Sequence, residues 1–288
     1  GVWKESKSLR DPPTGKACGD DGAECAVPGD LCSEGWQVSG FDGTGPPVRL
    51  FAYEPARSTE AAQRLYAGIA KGTVLMSDGY DAYDRLAHSN ELLHLACWAH
   101  ARRGFVEAEA ALPKEARSPE QPATQFIDTI AELYKIEQRA RERQLDHAQH
   151  TELRKQQSRP LLDRIEALLL QHLHSVLPNS VLGQALHYLA GQWRKLTRFV
   201  EDARYPLDNN VTENAIRPFV IGRRNWLFSD TMAGATASAN LYSLIETAKA
   251  NGRDPYRYLI WLFTRVPAAR SAEDYAALLP WHFAQTPR

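Results

Sequence analysis

Between Phe105 and Val200 the apolar residues recur every three to four positions, and this long run constrains the fold more than any other feature. Phe126, Ile130, Leu133 and Tyr134 fall on one helical face, and Leu161, Ile165, Leu168, Leu169 and Leu173 on another. Stripes of this kind are buried against other helices, so the middle of the chain reads as an all-helical block. Ser158 and Pro160 mark the start of the second helix. The stretch between the two stripes, Arg139 to Gln157, is charged all round and reads as a solvated face.

The segments before the block follow a different period. In "VRLFAYEP", Val48, Leu50 and Ala52 alternate with Arg49, Phe51 and Tyr53, which predicts a strand. Ser58 and Thr59 then cap a helix through Leu65 and Ile69. The β-branched apolar run Thr73 to Met76 predicts a buried strand, with Asp78 at its carboxyl end and Gly79 easing the turn. "LLHLACWAH" reads as a strand passing into a helix, with Cys97 a small buried hydrophobe and Trp98 in the core. After the block, "YPLDNNVTENAIRP" begins as a turn and becomes a helix start, with Asn209 or Asn210 as cap and Thr212 and Glu213 in the first turn. A glycine and alanine loop and two apolar helices follow, punctuated by Gly252 and Pro255. The expected organisation is an irregular segment 1–47, the first part of a core at 48–104, a helical insertion at 105–204, the remainder of the core with the Glu213 helix at 205–265, and a tail at 266–288. Strands alternating with helices predict an α/β fold.

The net charge is −1, so any nucleic-acid binding must come from local basic clusters. Cys18, Cys25 and Cys32 recur every seven residues, which lacks the close pairing of a zinc site. No apolar run approaches the ~20 residues that span a bilayer and no leader is present, so a soluble cytoplasmic protein without a membrane partner is expected. Asp78 at a strand end and Glu213 in a helix's first turn are oxygen donors that could converge on a divalent cation. The plainer alternative is a turn aspartate and a helix-dipole glutamate. Arg217, Arg223 and Arg224 could hold phosphates bidentately, with amides from Asn209, Asn210 and Asn225 nearby. His100 reads as a ligand, a general base or a structural hydrogen-bonder, and Arg102 and Arg103 as a DNA-facing pair or a solvated edge.

The stretches "SDGYDAY", "CWAHARRGF", "PLDNNVTENAIRPFVIGRRNWLF", "YSLIETAKANGRDPYRYL" and "LLPWHF" together resemble bacterial transposases of the insertion-sequence-66 family. The resemblance covers most of the chain from Val48 onward. It implies a ribonuclease-H-like mixed sheet core with a large all-helical insertion and a helical C-terminal tail. It also implies an Asp-Asp-Glu site that uses Mg²⁺ or Mn²⁺ to cut and join DNA at the element's terminal inverted repeats and a target. Carried over, Asp78 is the second catalytic aspartate and Glu213 the catalytic glutamate. A homo-oligomer and other proteins of the same element are the implied partners. The family's first aspartate, in an Asp-Glu-Thr-type motif, has no counterpart here. Asp11, Asp20, Asp21, Asp30 and Asp42 precede the matched region, but none ends a plausible buried strand. The shift in character near Gly40 reads as a truncation, a rearrangement or a shifted frame. Three readings follow: a metal-dependent transposase, a non-catalytic DNA-binding or assembly remnant, and a stand-alone ribonuclease-H-like nuclease.

Overall fold

The computed structural model describes residues 31–32, 45–54, 58–226 and 231–284, the side chains of 31–32 and 222–226 excepted. Cys18, Cys25 and the aspartates at 11, 20, 21, 30 and 42 lie outside the described residues. The chain divides into two compact units, one formed by 1–65 with 210–288 and the other by 66–209.

The first unit opens with β1 (Leu31–Cys32) and β2 (Ala52–Tyr53), paired antiparallel with Leu31 opposite Tyr53. Ahead of β2 the chain is extended with a period of two: Arg49 and Phe51 are buried while Leu50 is exposed. Helix α1 (Thr59–Leu65) starts where Ser58 Oγ accepts the Ala61 amide at 3.2 Å, as the capping signal predicts.

The second unit contains β3 (Val74–Ser77), α2 (Asp81–Ser89), β4 (Leu93–Ala96) and α3 (Trp98–Ala110). Strands β3 and β4 are parallel, in register from Val74 opposite Leu93 to Ser77 opposite Ala96. The expected boundary at 104/105 falls inside α3. That helix is continuous because Trp98, Ala101, Phe105 and Ala108 form one buried face. Helices α4 (Pro122–Glu142), α5 (His147–Leu153), α6 (Arg159–His172) and α7 (Val181–Thr197) complete the unit. Phe105 stacks on Phe126 with ring centroids 4.2 Å apart, and Trp98 meets Trp193 and Phe199 edge to face. At Gly104, α3 approaches α7 so closely that a Cβ would stand 3.0 Å from the Ala185 methyl.

One reading of this region holds and one is corrected. Helix α6 begins at Arg159 with Pro160 in its first turn, as expected, although Ser158 makes no capping hydrogen bond and a π-helical turn at Arg154–Ser158 joins α5 to α6 without a break. The charged stretch is not solvated throughout: Arg154 is 1% exposed. Its guanidinium binds Glu137 bidentately at 2.8 and 2.7 Å and donates to the carbonyls of Phe199 and Asp202, each at 2.6 Å. A charge on a helix can be buried when both its partner and its remaining donors are satisfied.

The first unit resumes with α8 (Asn210–Trp226), α9 (Met232–Ala250), α10 (Pro255–Arg265) and α11 (Ala272–Ala277). The expected glycine and alanine loop is helical from Met232. Thr231 Oγ1 caps it by accepting the Gly234 amide at 3.0 Å, and its alanines are the best helix formers. One face of α9 serves as partner for the extended segment before β2. Arg49 N–H donates to Thr247 Oγ1 at 2.9 Å and Thr247 Oγ1 donates back to the Arg49 carbonyl at 3.0 Å. Phe51 N–H donates to Ser243 Oγ at 2.7 Å, and Asn251 Nδ2 donates to the Pro47 carbonyl at 2.8 Å. Phe51 packs with Ile216 and Ala239, and Tyr258, Leu262, Leu278 and Phe283 form a second apolar centre. Asp254 caps α10 by accepting the Arg257 amide at 3.0 Å.

The architecture is therefore α/β but mostly helical. Among the described residues the sheet amounts to one antiparallel and one parallel pair, less than the mixed sheet expected. No helix among them is long and apolar enough to cross a membrane.

Candidate functional site

Parallel strands place their carboxyl ends on the same side, and ligands of α/β sheets bind there. Beyond the last rung, Ser77 opposite Ala96, the chain continues as Asp78-Gly79-Tyr80 from β3 and as Cys97-Trp98 from β4. Asp78 is half-buried, and its Oδ1 accepts the Tyr80 amide at 3.2 Å, forming an Asx turn. Gly79 has φ +92°, which suits the residue that the sequence places there.

The motif "PLDNN" enters the same end, because the Trp98 amide donates to the Leu207 carbonyl at 3.1 Å. Asp208 there acts on Tyr134: burial, first, and then the Asp208 carboxylate push the phenol far above its ordinary value. Arg102 opposes that shift. Tyr188 is likewise raised, by burial first and with contributions from Cys97 and Asp78, while Arg103 opposes. Both tyrosines are therefore neutral hydrogen-bonding groups at any physiological pH. Asp78, His100, Arg102, Arg103 and Asn209 all belong to the 66–209 unit. His100, Arg102 and Arg103 sit half-buried in the first turns of α3.

Asn210, Glu213 and Arg217 belong to the other unit, on α8. Glu213 lies in the first turn, as its sequence context predicts, and is half-buried, while Arg217 is exposed. Arg223, Arg224 and Asn225 continue the helix, with side chains outside the described set.

A polar chain that sequence reasoning missed runs beneath Asp78. Ser77 Oγ lies 2.8 Å from His94 Nε2, and His94 Nδ1 lies 3.1 Å from Asp84 Oδ1. Asp84 also pairs with Lys195, and Arg198 donates to the His94 carbonyl at 3.2 Å. His94 is pushed down to about 4, chiefly by burial and next by the Lys195 ammonium. Its neutral ring therefore donates from Nδ1 to Asp84 and accepts from Ser77 at Nε2. The one available signal was a histidine inside the apolar run "LLHLA".

Mg²⁺ and Mn²⁺ take oxygen donors, and Mg²⁺ commonly needs only one or two protein carboxylates. Asp78, held half-buried at a strand end, fits that chemistry, as does the carboxylate of Glu213. Among the described residues no group of three His, Cys, Asp or Glu side chains stands ready to enclose an ion.

Two family models match the chain in order: "Transposase IS66 family" over residues 33–237 and "IS66 C-terminal element" over residues 243–281. Similar proteins of Sinorhizobium fredii (strain NBRC 101917 / NGR234) are the uncharacterized proteins y4qI, y4jD and y4hP. The first is 34% identical over 250 residues, covering 84% of this chain and 44% of its own length. The second is 32% identical over 250 residues, covering 84% and 47%. The third is 30% identical over 257 residues, covering 84% and 45%. The chain thus spans about half the length of the curated relatives it matches. No solved structure matches it significantly.

Proposed function

Since the chain belongs to the IS66 family of transposases, we propose that it is the catalytic segment of a DNA transposase with a ribonuclease-H-like core. The observation that carries this reading is the ordered match of both family models, with Asp78 at a strand's carboxyl end in the matched region. In this reading Asp78 and Glu213 hold Mg²⁺ or Mn²⁺. The ions, when bound, supply Lewis acidity at a phosphodiester and an activated hydroxyl nucleophile. Arg102, Arg103, Arg217, Arg223, Arg224 and Asn225 grip phosphates of the element's terminal inverted repeats and of the target. His100, Asn209 and Asn210 support the carboxylates. Cleavage and joining take place in the cytoplasm, in a homo-oligomer with other proteins of the element.

The second reading is a DNA-binding or assembly remnant of such a transposase. One experiment separates the two: incubate the chain with DNA carrying the element's ends and vary Mg²⁺, Mn²⁺ and salt. Strand cleavage that needs the metal and disappears in Asp78→Asn and Glu213→Gln supports the transposase. Binding that is indifferent to metal and weakens steeply with salt supports the remnant.

A further inference from the structure

Helix α7, the last helix of the helical block, packs against the turn that carries Asp78. Tyr188, Gln192 and Lys195 are spaced by four and three residues, so they share one helical face. Each meets a different part of the strand end. Tyr188 Oη donates to the Asp78 carbonyl at 2.8 Å. The Gln192 amide and the Tyr188 ring close over Gly79, where a Cβ would stand 3.1 Å from Gln192 Nε2 and 3.2 Å from Tyr188 Cε2. Lys195 pairs with Asp84, whose carboxylate orients His94; His94 in turn takes the Ser77 hydroxyl hydrogen. Ser77 Oγ then accepts the Gly79 amide at 3.4 Å. The carbonyl of Asp78, the space at Gly79 and the amide of Gly79 are thus all fixed from one helix face.

The order Ser77–His94–Asp84 mirrors an activated serine nucleophile, but access decides against that role. Ser77 is 5% exposed, within the strand pair, and its oxygen is already committed to His94 and to the Gly79 amide. No acyl or phosphoryl group could reach it, so the chain of groups anchors the turn. We infer that Tyr188, Gln192 and the Lys195–Asp84–His94–Ser77 chain are positioning residues for the Asp78 carboxylate, and that the helical insertion is their carrier. This rests on reading Asp78 as a metal carboxylate. Sites of that kind work only when the ligand is held within about 0.5 Å of its productive place.

The test uses the full chain with Tyr188→Phe, which keeps the ring and removes the single donor, and with Gln192→Ala. Manganese binding is followed by electron paramagnetic resonance, and amide exchange at Gly79 and Tyr80 by NMR. The expected result is exchange at least about tenfold faster and Mn²⁺ affinity about tenfold weaker, the lower end of what groups orienting metal ligands contribute, with Tyr188→Phe still unfolding cooperatively and losing only about 1 kcal/mol of stability. Unchanged exchange in both variants overturns the brace. Faster exchange with unchanged Mn²⁺ affinity makes the contact structural only and overturns the positioning role. Asp78→Asn is the separate control: Mn²⁺ binding indifferent to it removes the proposed function, whatever the exchange data say of the brace.

Discussion

The sharpest energetic prediction concerns His94. Its ring is buried between β3, α2 and α7, facing Ser77, Asp84, Lys195 and Arg198. Burial and the Lys195 ammonium hold it at about 4 against an ordinary imidazole value of 6.5, with Asp84 pulling the other way. Because the folded value lies below the unfolded one, the unfolded chain binds the extra proton first as pH falls. The stability linked to His94 is fully present above pH ~6.5, is lost as pH drops toward about 4, and changes no further below that. At ~1.4 kcal/mol per unit, the loss between pH 7.5 and 4.5 comes to roughly 2 kcal/mol. The assay is urea unfolding of the wild type and His94→Gln at both pH values, read by tryptophan fluorescence. Glutamine keeps hydrogen-bonding groups at this position and does not titrate. Carboxylates titrate in both proteins, so the quantity that matters is the difference between them. His94→Gln should cost about 1–3 kcal/mol at pH 7.5, the scale of a disturbed buried hydrogen-bond chain. That deficit should shrink by roughly 2 kcal/mol at pH 4.5. Parallel pH profiles for the two proteins would refute the reasoning, since His94 would then titrate alike folded and unfolded.

Three further outcomes follow from contacts described above. Arg154→Met should cost about 3–5 kcal/mol in chemical denaturation, because it strands the Glu137 carboxylate, and adding Glu137→Met should recover part of the loss; additive penalties would count against a buried pair. Thr247→Val, nearly isosteric, should cost about 1–3 kcal/mol and speed exchange of the Arg49 amide, so an unchanged rate there would show that the hydroxyl rung contributes nothing. Gly79→Ala combines a left-handed φ with a crowded Cβ and should lower stability by about 1–3 kcal/mol, a loss that Gln192→Ala relieves only in part because the backbone strain remains.

Residues whose roles are local were legible in the sequence. Ser58 caps, Gly79 turns and Glu213 falls in a first helical turn because each depends on neighbours within four positions, while Trp98 and Cys97 are buried as their apolar side chains predict. The long apolar stripes gave the helical block for the same reason. What escaped depends on partners far along the chain. Arg154 reads as one more surface charge until the carbonyls of Phe199 and Asp202 appear beside it. Tyr188 carries no sequence signal of its contact with Asp78, 110 positions away. The stretch after Met232 reads as a loop on its glycine and small polar residues although its alanines favour a helix, and the partner that this helix packs against lies far along the chain. The partner here is the extended chain at Pro47 to Phe51.

That partnership has a built-in length limit. A helix advances about 6.0 Å in four residues, whereas an extended chain advances about 6.6–6.8 Å in two. The two rulers match at Thr247, drift by roughly 0.7 Å at Ser243 and Asn251, and would be about 1.4 Å out of step one mark further on. A hydrogen bond does not stretch that far. Three rungs are therefore the most that this vernier supports, and at Ala52 the chain must take a true strand as its neighbour, as it does with Cys32. Lengthening the extended segment or adding hydroxyls along the helix would not extend the pairing. The beat between two periodicities, and not the supply of donors, sets where it stops.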